Sequence, residues 1–430
     1  DLKLEQAKEA LIAAYLNETT LYVKSAYLTA LGKLDVTENL EFFKNRLLEV
    51  KNQQVPAEEQ KHQGEEIREL NEIILKTEGA KKHQFTGFQM PHEMLLLTNR
   101  EQREVTLSEV KEIGASVQRK AELHPLGVLV FSKEVTPFTK LRTYRELLFP
   151  IHTSERIPAM PHRAAELLWH SDLYGFLTEC HEGDAPFFFR LEVKSAEPKT
   201  EFVKKLGASL EKKSDWKLAN STTDYEIEIR LIEAKDGSFV PFLKLYSMKM
   251  KRFAYRKNAI AMSIHPATAA MLMYLAKPYL KENAQILDPC CGVGTMLIER
   301  DILVPAREKY GIDIFGDAID MARENAALAG EKINFIHRDY FDFKHDYKFD
   351  EIVTNMPVKG KKAKEDMDAF YARFFEKSKS LLAEDGIIIM YSNEVGFVKK
   401  QLRLQPSYRL IQEYTIRKKD SYCLFIIGMK

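Results

Sequence analysis

The sequence predicts an α/β protein: a doubly wound, mostly parallel sheet at the carboxy terminus, a small α+β unit before it, and an all-α segment at the amino terminus. Three observations predict this. Strand and helix patterns alternate from about residue 257 to the end. The run "ILDPCCGVGTMLIER" (286–300) passes from an apolar strand through a glycine loop into a helix. Residues 1–80 carry apolar positions at helical spacing and no strand pattern.

A chain of 430 residues is too long for one core and predicts two to four domains, on the order of 100–200 residues each. Hydrophobic residues at 45% and charged residues at 30% describe a soluble globular protein, and the net charge of +1 hides local asymmetry. Four cysteines make no disulfide framework and fit a reducing, cytoplasmic setting. No apolar stretch approaches the roughly 20 residues that span a bilayer, so no membrane association is expected. The chain opens on Asp1 rather than Met, so a preceding segment is allowed for.

In residues 1–80, "AKEALIAAYL", "LYVKSAYLTALGKL" and "ENLEFFKNRLLEV" predict helices, with "KNQQVPAEEQKHQGEE" as a solvated connection. The second stretch resembles the second helix of a HEAT repeat, and an ordinary helical bundle is the other reading. A small α/β domain is expected at 84–160, with strands "HEMLLLT" and "LGVLVF" around the helix "TLSEVKEIG" capped by Ser108. Residues 161–256 add the strand "FFFRLEVKS", the helix "TEFVKKLGASLEKKS" and the alternating strand "DYEIEIRLIEA", with Tyr225, Ile227, Ile229 and Leu231 on one face. Residues 257–430 are the doubly wound domain, with Gly330 ending one of its helices.

The glycine loop excludes several chemistries. It lacks the Gly-Lys-Ser/Thr ending of a phosphate loop, and Leu297 stands where a dinucleotide fingerprint needs its third glycine. Cys290 and Cys291 are adjacent, so in an extended segment their side chains diverge, which suits neither a metal nor a Cys-x-x-Cys redox pair. No metal is expected. S-adenosylmethionine fits better. Asp288 can attract its ammonium, Gly292 and Gly294 let the backbone approach, and the following helix start favours its carboxylate. Asp313 ends the next strand, where a carboxylate accepts ribose hydroxyls, and Asp339 follows the third, within reach of an adenine amine.

The fourth strand ends in "IVTNMPVKG" (352–360). Together with "LDPCCGVGTMLIE", this motif resembles the paired motifs of Rossmann-like class I RNA methyltransferases, "DPFCGSGT-IE" and Asn/Asp-Pro-Pro-Tyr or Asn-Leu-Pro-Phe. "KRFAYRKNAIAMSIHPATAAMLM" and "AFYARFF" fall where that family has similar segments. The chain looks most like the THUMP-domain guanine-N2 methyltransferases of tRNA or ribosomal RNA, over roughly residues 85–430. The resemblance implies a THUMP-like RNA-binding domain at 161–256 and S-adenosylmethionine at Asp288, Pro289, Cys290, Gly292, Gly294, Thr295, Asp313, Asp339 and Tyr340. It also places His265 near the cofactor's methionine end, with a helix-start role as the alternative. Catalysis is implied at Asn355, Met356, Pro357 and Val358. An exocyclic ring amine is a poor nucleophile, and acceptors on Asn355 and the Met356 carbonyl turn its lone pair toward the methyl group. Val358 departs from the family, because it cannot stack on an extruded base. Phe253, Tyr255 and Tyr371 are the expected substitutes.

Basic residues complete the expectation. Lys204, Lys205, Lys212 and Lys213 lie on one predicted helix, and Lys249, Lys251, Arg252, Arg256 and Lys257 interleave with Phe253 and Tyr255. Lys359 follows the catalytic motif. They read either as solvated faces or as phosphate contacts to RNA. The amino-terminal helices are expected to bind a protein partner or to extend the RNA surface. The alternative functions are a DNA adenine-N6 methyltransferase and a binding scaffold that retains the fold without the activity.

Overall fold

The computed structural model describes residues 7–78, 82–113, 120–183, 186–358 and 364–430. The chain packs as two compact units, each built from two separate stretches: residues 1–87 with 150–248, and 88–149 with 249–430. The stretch expected as one domain at 84–160 is thus divided between them.

In the first unit, helices Lys8–Asn17, Leu21–Leu31, Leu40–Asn52 and Gln60–Glu78 enclose one core of Tyr15, Leu28, Phe43, Leu70 and their neighbours. The last helix starts inside the expected connection, because Ile67, Leu70 and Ile73 repeat at helical spacing and bury. Four helices around one shared core give the bundle reading its support; the HEAT-like reading gains none. Trp216 packs against this core. The unit's sheet runs Phe239–Leu245, Ile227–Glu233, Phe187–Lys194, Leu218–Asn220 in spatial order, with the helix Thr200–Lys213 connecting its two last-named strands. Ile227, Ile229 and Leu231 are buried as expected, but so are Glu228 and Arg230 on the opposite face. Glu228 is held by Arg190 at 2.8 Å and by Arg230. Alternation of polar and apolar residues here marks an ion-pair layer rather than a wetted face.

The second unit opens with four antiparallel strands, ordered Lys120–His124, Gly127–Ser132, His92–Leu97, Glu146–Pro150. Ser108 lies inside the helix Arg103–Glu112 and caps nothing; Asn99 instead accepts the N–H groups of Glu101 and Gln102.

The main sheet of this unit has seven strands: β1 (Gln285–Asp288), β2 (Glu308–Asp313), β3 (Asn334–His337), β4 (Phe349–Asn355), β5 (Leu382–Ser392), β6 (Tyr408–Arg417) and β7 (Tyr422–Met429). Their spatial order is β3-β2-β1-β4-β5-β7-β6. All pair in parallel except β7, which is antiparallel to both neighbours. The helices are α1 (Pro266–Ala276), α2 (Thr295–Leu303), α3 (Gly316–Ala329), α4 (Lys364–Leu381) and α5 (Val395–Leu404). Gly330 ends α3 in the left-handed conformation at φ 77°, as expected. The strand order reverses between β1 and β4, and ligands of such sheets bind at the carboxyl ends of strands at that crevice.

Candidate active site

β1 delivers Asp288 to the carboxyl edge of the sheet, 1% exposed. Its Oδ1 accepts the Cys290 N–H at 3.1 Å, while Oδ2 has no partner among the described residues. Burial pushes this carboxyl up to about 7, against the opposing pull of the Cys290 N–H and of the nearby Thr354 hydroxyl. Thr354 lies close to the carboxyl without hydrogen-bonding geometry: its own Oγ1, like that of Thr295 at the start of α2, is buried and unpartnered. Three orphaned polar atoms on β1, β4 and α2 thus gather around one loop. Buried groups of this kind are rare without a ligand or water to satisfy them.

The loop needs its glycines. Gly294 sits at φ 82°, and a Cβ there would come within 2.9 Å of the Phe335 ring. Gly292 sits at φ 50° with nothing within 4 Å of a Cβ position, so its outer side is open to a ligand. Its N–H donates to Asp313 Oδ2 at 2.8 Å, which ties the loop to the end of β2. Asp313 Oδ1 accepts the Phe315 N–H at 3.0 Å, and each oxygen keeps a lone pair for a ribose hydroxyl. Beyond Asp313, Ile314 and Phe315 are 58% and 64% exposed, apolar surface suited to an adenine ring. Asp339 is exposed at the end of β3, where Oδ1 accepts the Phe341 N–H at 2.9 Å. Pro289, buried, and Cys290, half-buried, line the turn.

Some expected residues serve the fold instead. The Tyr340 side chain is buried, and its hydroxyl pairs with Ser378 at 2.9 Å, so the ring belongs to the core and not to the cofactor site. His265 caps α1: its Nδ1 accepts the Ala267 N–H at 3.1 Å. Burial, helped by Arg145 and Arg256, lowers it to about 4, which keeps that nitrogen free to accept. Cys291 is buried, and desolvation raises its thiol well above the usual range, so it is inert. Among the described residues no cluster has the make-up of a metal site.

Asn355 ends β4, half-buried, two strands from Asp313 and adjacent to β1. Its carboxamide makes no hydrogen bond among the described residues and is available to a substrate. The next residue anchors the motif: the Met356 N–H donates to the Tyr391 carbonyl at 2.9 Å, and its side chain fills the core below. Pro357 and Val358 are half-buried. The three aromatics expected to replace a stacking ring at 358 are engaged elsewhere. Tyr371 is buried and bonded to Ser392 at 2.7 Å. Tyr255 is buried and donates to Glu299. Phe253 lies between the guanidinium groups of Arg142 and Arg252, at 4.9 and 4.7 Å.

The basic residues divide likewise. Arg252 is committed to the fold, donating to the Leu141 carbonyl at 2.9 Å and the Arg145 carbonyl at 2.7 Å, with its guanidinium 3.7 Å above the Tyr144 ring. Arg256 is half-buried and reaches the Ile264 carbonyl at 3.4 Å. Neither is a free phosphate contact. Lys251 is exposed. Lys204 and Lys213 are exposed on their helix; Lys205 pairs with Glu201 at 3.1 Å and Lys212 with Gln60 at 3.1 Å. Lys359 lies outside the described residues.

Two supports of the site escaped the sequence reading. Glu299, on α2, is 1% exposed and bound bidentately by Arg142, both contacts at 2.8 Å. Asn325, on α3 and fully buried, clamps two loops. Its Nδ2 donates to the Asn258 carbonyl at 3.0 Å and the Val293 carbonyl at 3.2 Å, and its Oδ1 accepts the Asn258 N–H at 3.0 Å. The segment before α1 and the glycine loop are therefore held by one side chain. In sequence, "ARENAALAG" shows this only as a polar residue on the helix face that buries Ala322 and Ala326.

Comparison with known proteins agrees with this geometry. Residues 254–421 match the UPF0020 family, "RMKL-like, methyltransferase domain". This part of the chain is similar to a methyltransferase domain. The tRNA (guanine(10)-N2)-dimethyltransferase of Methanothermobacter thermautotrophicus is 33% identical over 158 residues, 36% of this chain and 45% of that protein. The chain thus spans less than half the length of that relative. Two solved structures share the fold: TrmN from Thermus thermophilus at 19% identity, covering 79% of this chain and 99% of that one with a TM-score of 0.56, and the SAH complex of SMU.472 at 14% identity, covering 79% and 98% with a TM-score of 0.59. The methyltransferase domain's residues fit S-adenosylmethionine: an unpaired buried carboxylate oxygen for its ammonium, an open glycine for close backbone approach, and Asp313 for its ribose.

Proposed function

We propose that the chain is an S-adenosylmethionine-dependent RNA methyltransferase acting on an exocyclic amine, guanine N2 of tRNA or ribosomal RNA. The observation that carries this reading is the placement of Asp288 and its glycine loop on β1 beside the free Asn355 carboxamide on β4, at one edge of the sheet. The guanine assignment draws on the similarity to the Methanothermobacter thermautotrophicus tRNA enzyme, whose named reaction is at that nitrogen. Free thiols on all four cysteines fit a reducing compartment such as the cytoplasm.

S-adenosylmethionine supplies a sulfonium methyl group. The protein's part is orientation. Asn355 Oδ1 accepts one N–H of the target amine and the Met356 carbonyl the other, so the nitrogen lone pair is directed away from the ring. Pro357 fixes the loop, and the Met356 N–H bond to Tyr391 fixes its height on the sheet. Asp288, ionised, holds the ammonium end. In the first unit, the sheet with its helix Thr200–Lys213 would be the THUMP-like portion, and exposed Lys204 and Lys213 would contact phosphates. The amino-terminal bundle would extend this unit or dock a protein.

The test is incubation of the full chain and of Asn355→Ala with labelled S-adenosylmethionine and unmodified tRNA, ribosomal RNA or DNA, followed by mass spectrometry of the nucleosides. Label in 2-methylguanosine that disappears in the variant is expected. Label in DNA adenine, or cofactor binding with transfer to no nucleic acid, would refute the reading.

A further inference from the structure

This inference rests on the methyl-transfer reading and concerns where the base lies. Val358 offers no ring beside Asn355, and the strand register points to another source. Asn355 on β4 pairs with Tyr391 on β5, and Tyr391 pairs with Leu424 on β7. Paired residues project from the same face of a sheet. Val353, Ile389, Tyr391 and Leu424 indeed share one apolar cluster on that face. Tyr391 therefore stands beside Asn355. Its side chain is 5% exposed, and its hydroxyl is neither buried without a partner nor bonded to any described residue. That leaves the hydroxyl open to solvent. Burial holds it neutral, as a donor.

Tyr422 precedes Leu424 by two residues on the same strand and stacks on Tyr391, centroids 4.8 Å apart at 27°. Arg417 pairs with Tyr422 across the β6–β7 hairpin and places its guanidinium 4.3 Å from the Tyr422 ring centre. Because β7 runs antiparallel to β5, its first residues and the hairpin tip "RKKDS" (417–421) lie at the edge that carries Asn355. Arg417, Lys418 and Lys419 are exposed there; Arg417 pairs with Asp420 of the tip, and Lys418 with Glu101 at 3.2 Å. Asn99 and Gln102 hold the strand behind the tip through the Ile416 and Thr415 carbonyls, at 3.0 and 2.8 Å.

We propose that Tyr391, Tyr422 and Arg417 form the nucleobase platform of this domain in place of an aromatic residue at 358. The target base stacks at the Arg417 end of the column, the Tyr391 hydroxyl donates to its edge, and Lys419 of the tip holds the adjoining phosphate. Guanidinium planes and tyrosine rings both stack on unpaired bases, and surface lysines add the charge that nucleic acid requires.

The test uses the full chain with tRNA transcripts carrying photoreactive 6-thioguanosine. Crosslinks are expected in the segments holding Tyr391 and 417–422. Tyr422→Leu and Arg417→Lys, which keeps the charge but loses the plane, are expected to raise the KM for RNA about 10- to 100-fold at unchanged cofactor affinity, with Tyr422→Phe restoring it. Crosslinks confined to other segments, or an unaltered KM in both variants, overturn the platform. Crosslinks at the platform without methyl transfer by the wild-type chain would sink the functional reading and leave the platform standing. Absence of RNA binding by the wild-type chain would overturn both.

Discussion

In the proposed reaction Asn355 and Asp288 divide the labour at the sheet edge, and each carries a separable prediction. Asn355→Ala removes an acceptor that acts on the target amine alone. Transfer is expected to fall at least about 100-fold while cofactor affinity and thermal stability stay within error, checked by single-turnover kinetics and calorimetry. Asp288 is different because burial raises its carboxyl to about 7. Only the ionised form attracts an ammonium. Below pH 7 the folded protein holds a proton there that cofactor binding must expel, so affinity is expected to weaken by about tenfold per pH unit lost. Above pH 8 it is expected to level off. Asp288→Asn should bind weakly at every pH, and calorimetric titration across pH 6–9 decides this. A pH-independent affinity in the wild-type chain would remove the carboxylate from the cofactor's ammonium. These acids and the Asn were legible in sequence because each ends a strand, and chemistry at a strand end declares itself by position. Tyr340 and Arg252 misled because a polar or aromatic type gives no sign of whether its partner is a ligand or the core.

At the scale of elements, the site depends on two buried polar supports. Arg142 binds Glu299 bidentately and Tyr255 donates to the same carboxylate, which locks the start of the unit's second stretch to α2. Burial raises the Glu299 carboxyl, and the Arg142 guanidinium opposes that rise. Arg142→Met leaves the acid without its cation and is expected to cost about 3–5 kcal/mol in chemical denaturation, while a double change with Glu299→Leu should recover part of it. Asn325 acts through the loops it joins. Asn325→Ala is expected to weaken cofactor binding about 10-fold or more by freeing the glycine loop, with Asn325→Asp failing to rescue because Nδ2 donates to two carbonyls. Hydrogen exchange at residues 292–295 should rise in parallel; unchanged exchange would show that the clamp does not order the loop. Neither support was readable beforehand. A helix period reveals which face is inward, not which distant residue answers a buried polar group.

For the whole molecule, the prediction concerns charge. A net charge of +1 gives no global attraction to nucleic acid, so the proposed RNA binding would rely on local clusters. Exposed Lys204 and Lys213 lie in the first unit, far in sequence from the catalytic motifs. Changing both to Glu is expected to weaken RNA binding and to reduce the slope of log K against log salt by about one to two, leaving cofactor affinity alone. Filter binding at several salt concentrations measures it. An unchanged slope would make this helix a solvated face.

The sequence alone determined six strands of the carboxy-terminal sheet and the acids at their ends, because backbone periodicity and the glycine loop are local properties; it left α5 and β6 unplaced. It also predicted helices through residues 1–80, and the described residues 7–78 hold four of them. Tertiary structure alone decided which stretches of chain share a unit, that Trp216 joins the helical core, and which basic and aromatic side chains remain free for a substrate. Those outcomes depend on contacts between residues far apart in the chain. The pairing of Asn355 with Tyr391 is one such contact: a strand's register against its neighbour is fixed by packing on both faces, and no stretch of sequence encodes it by itself.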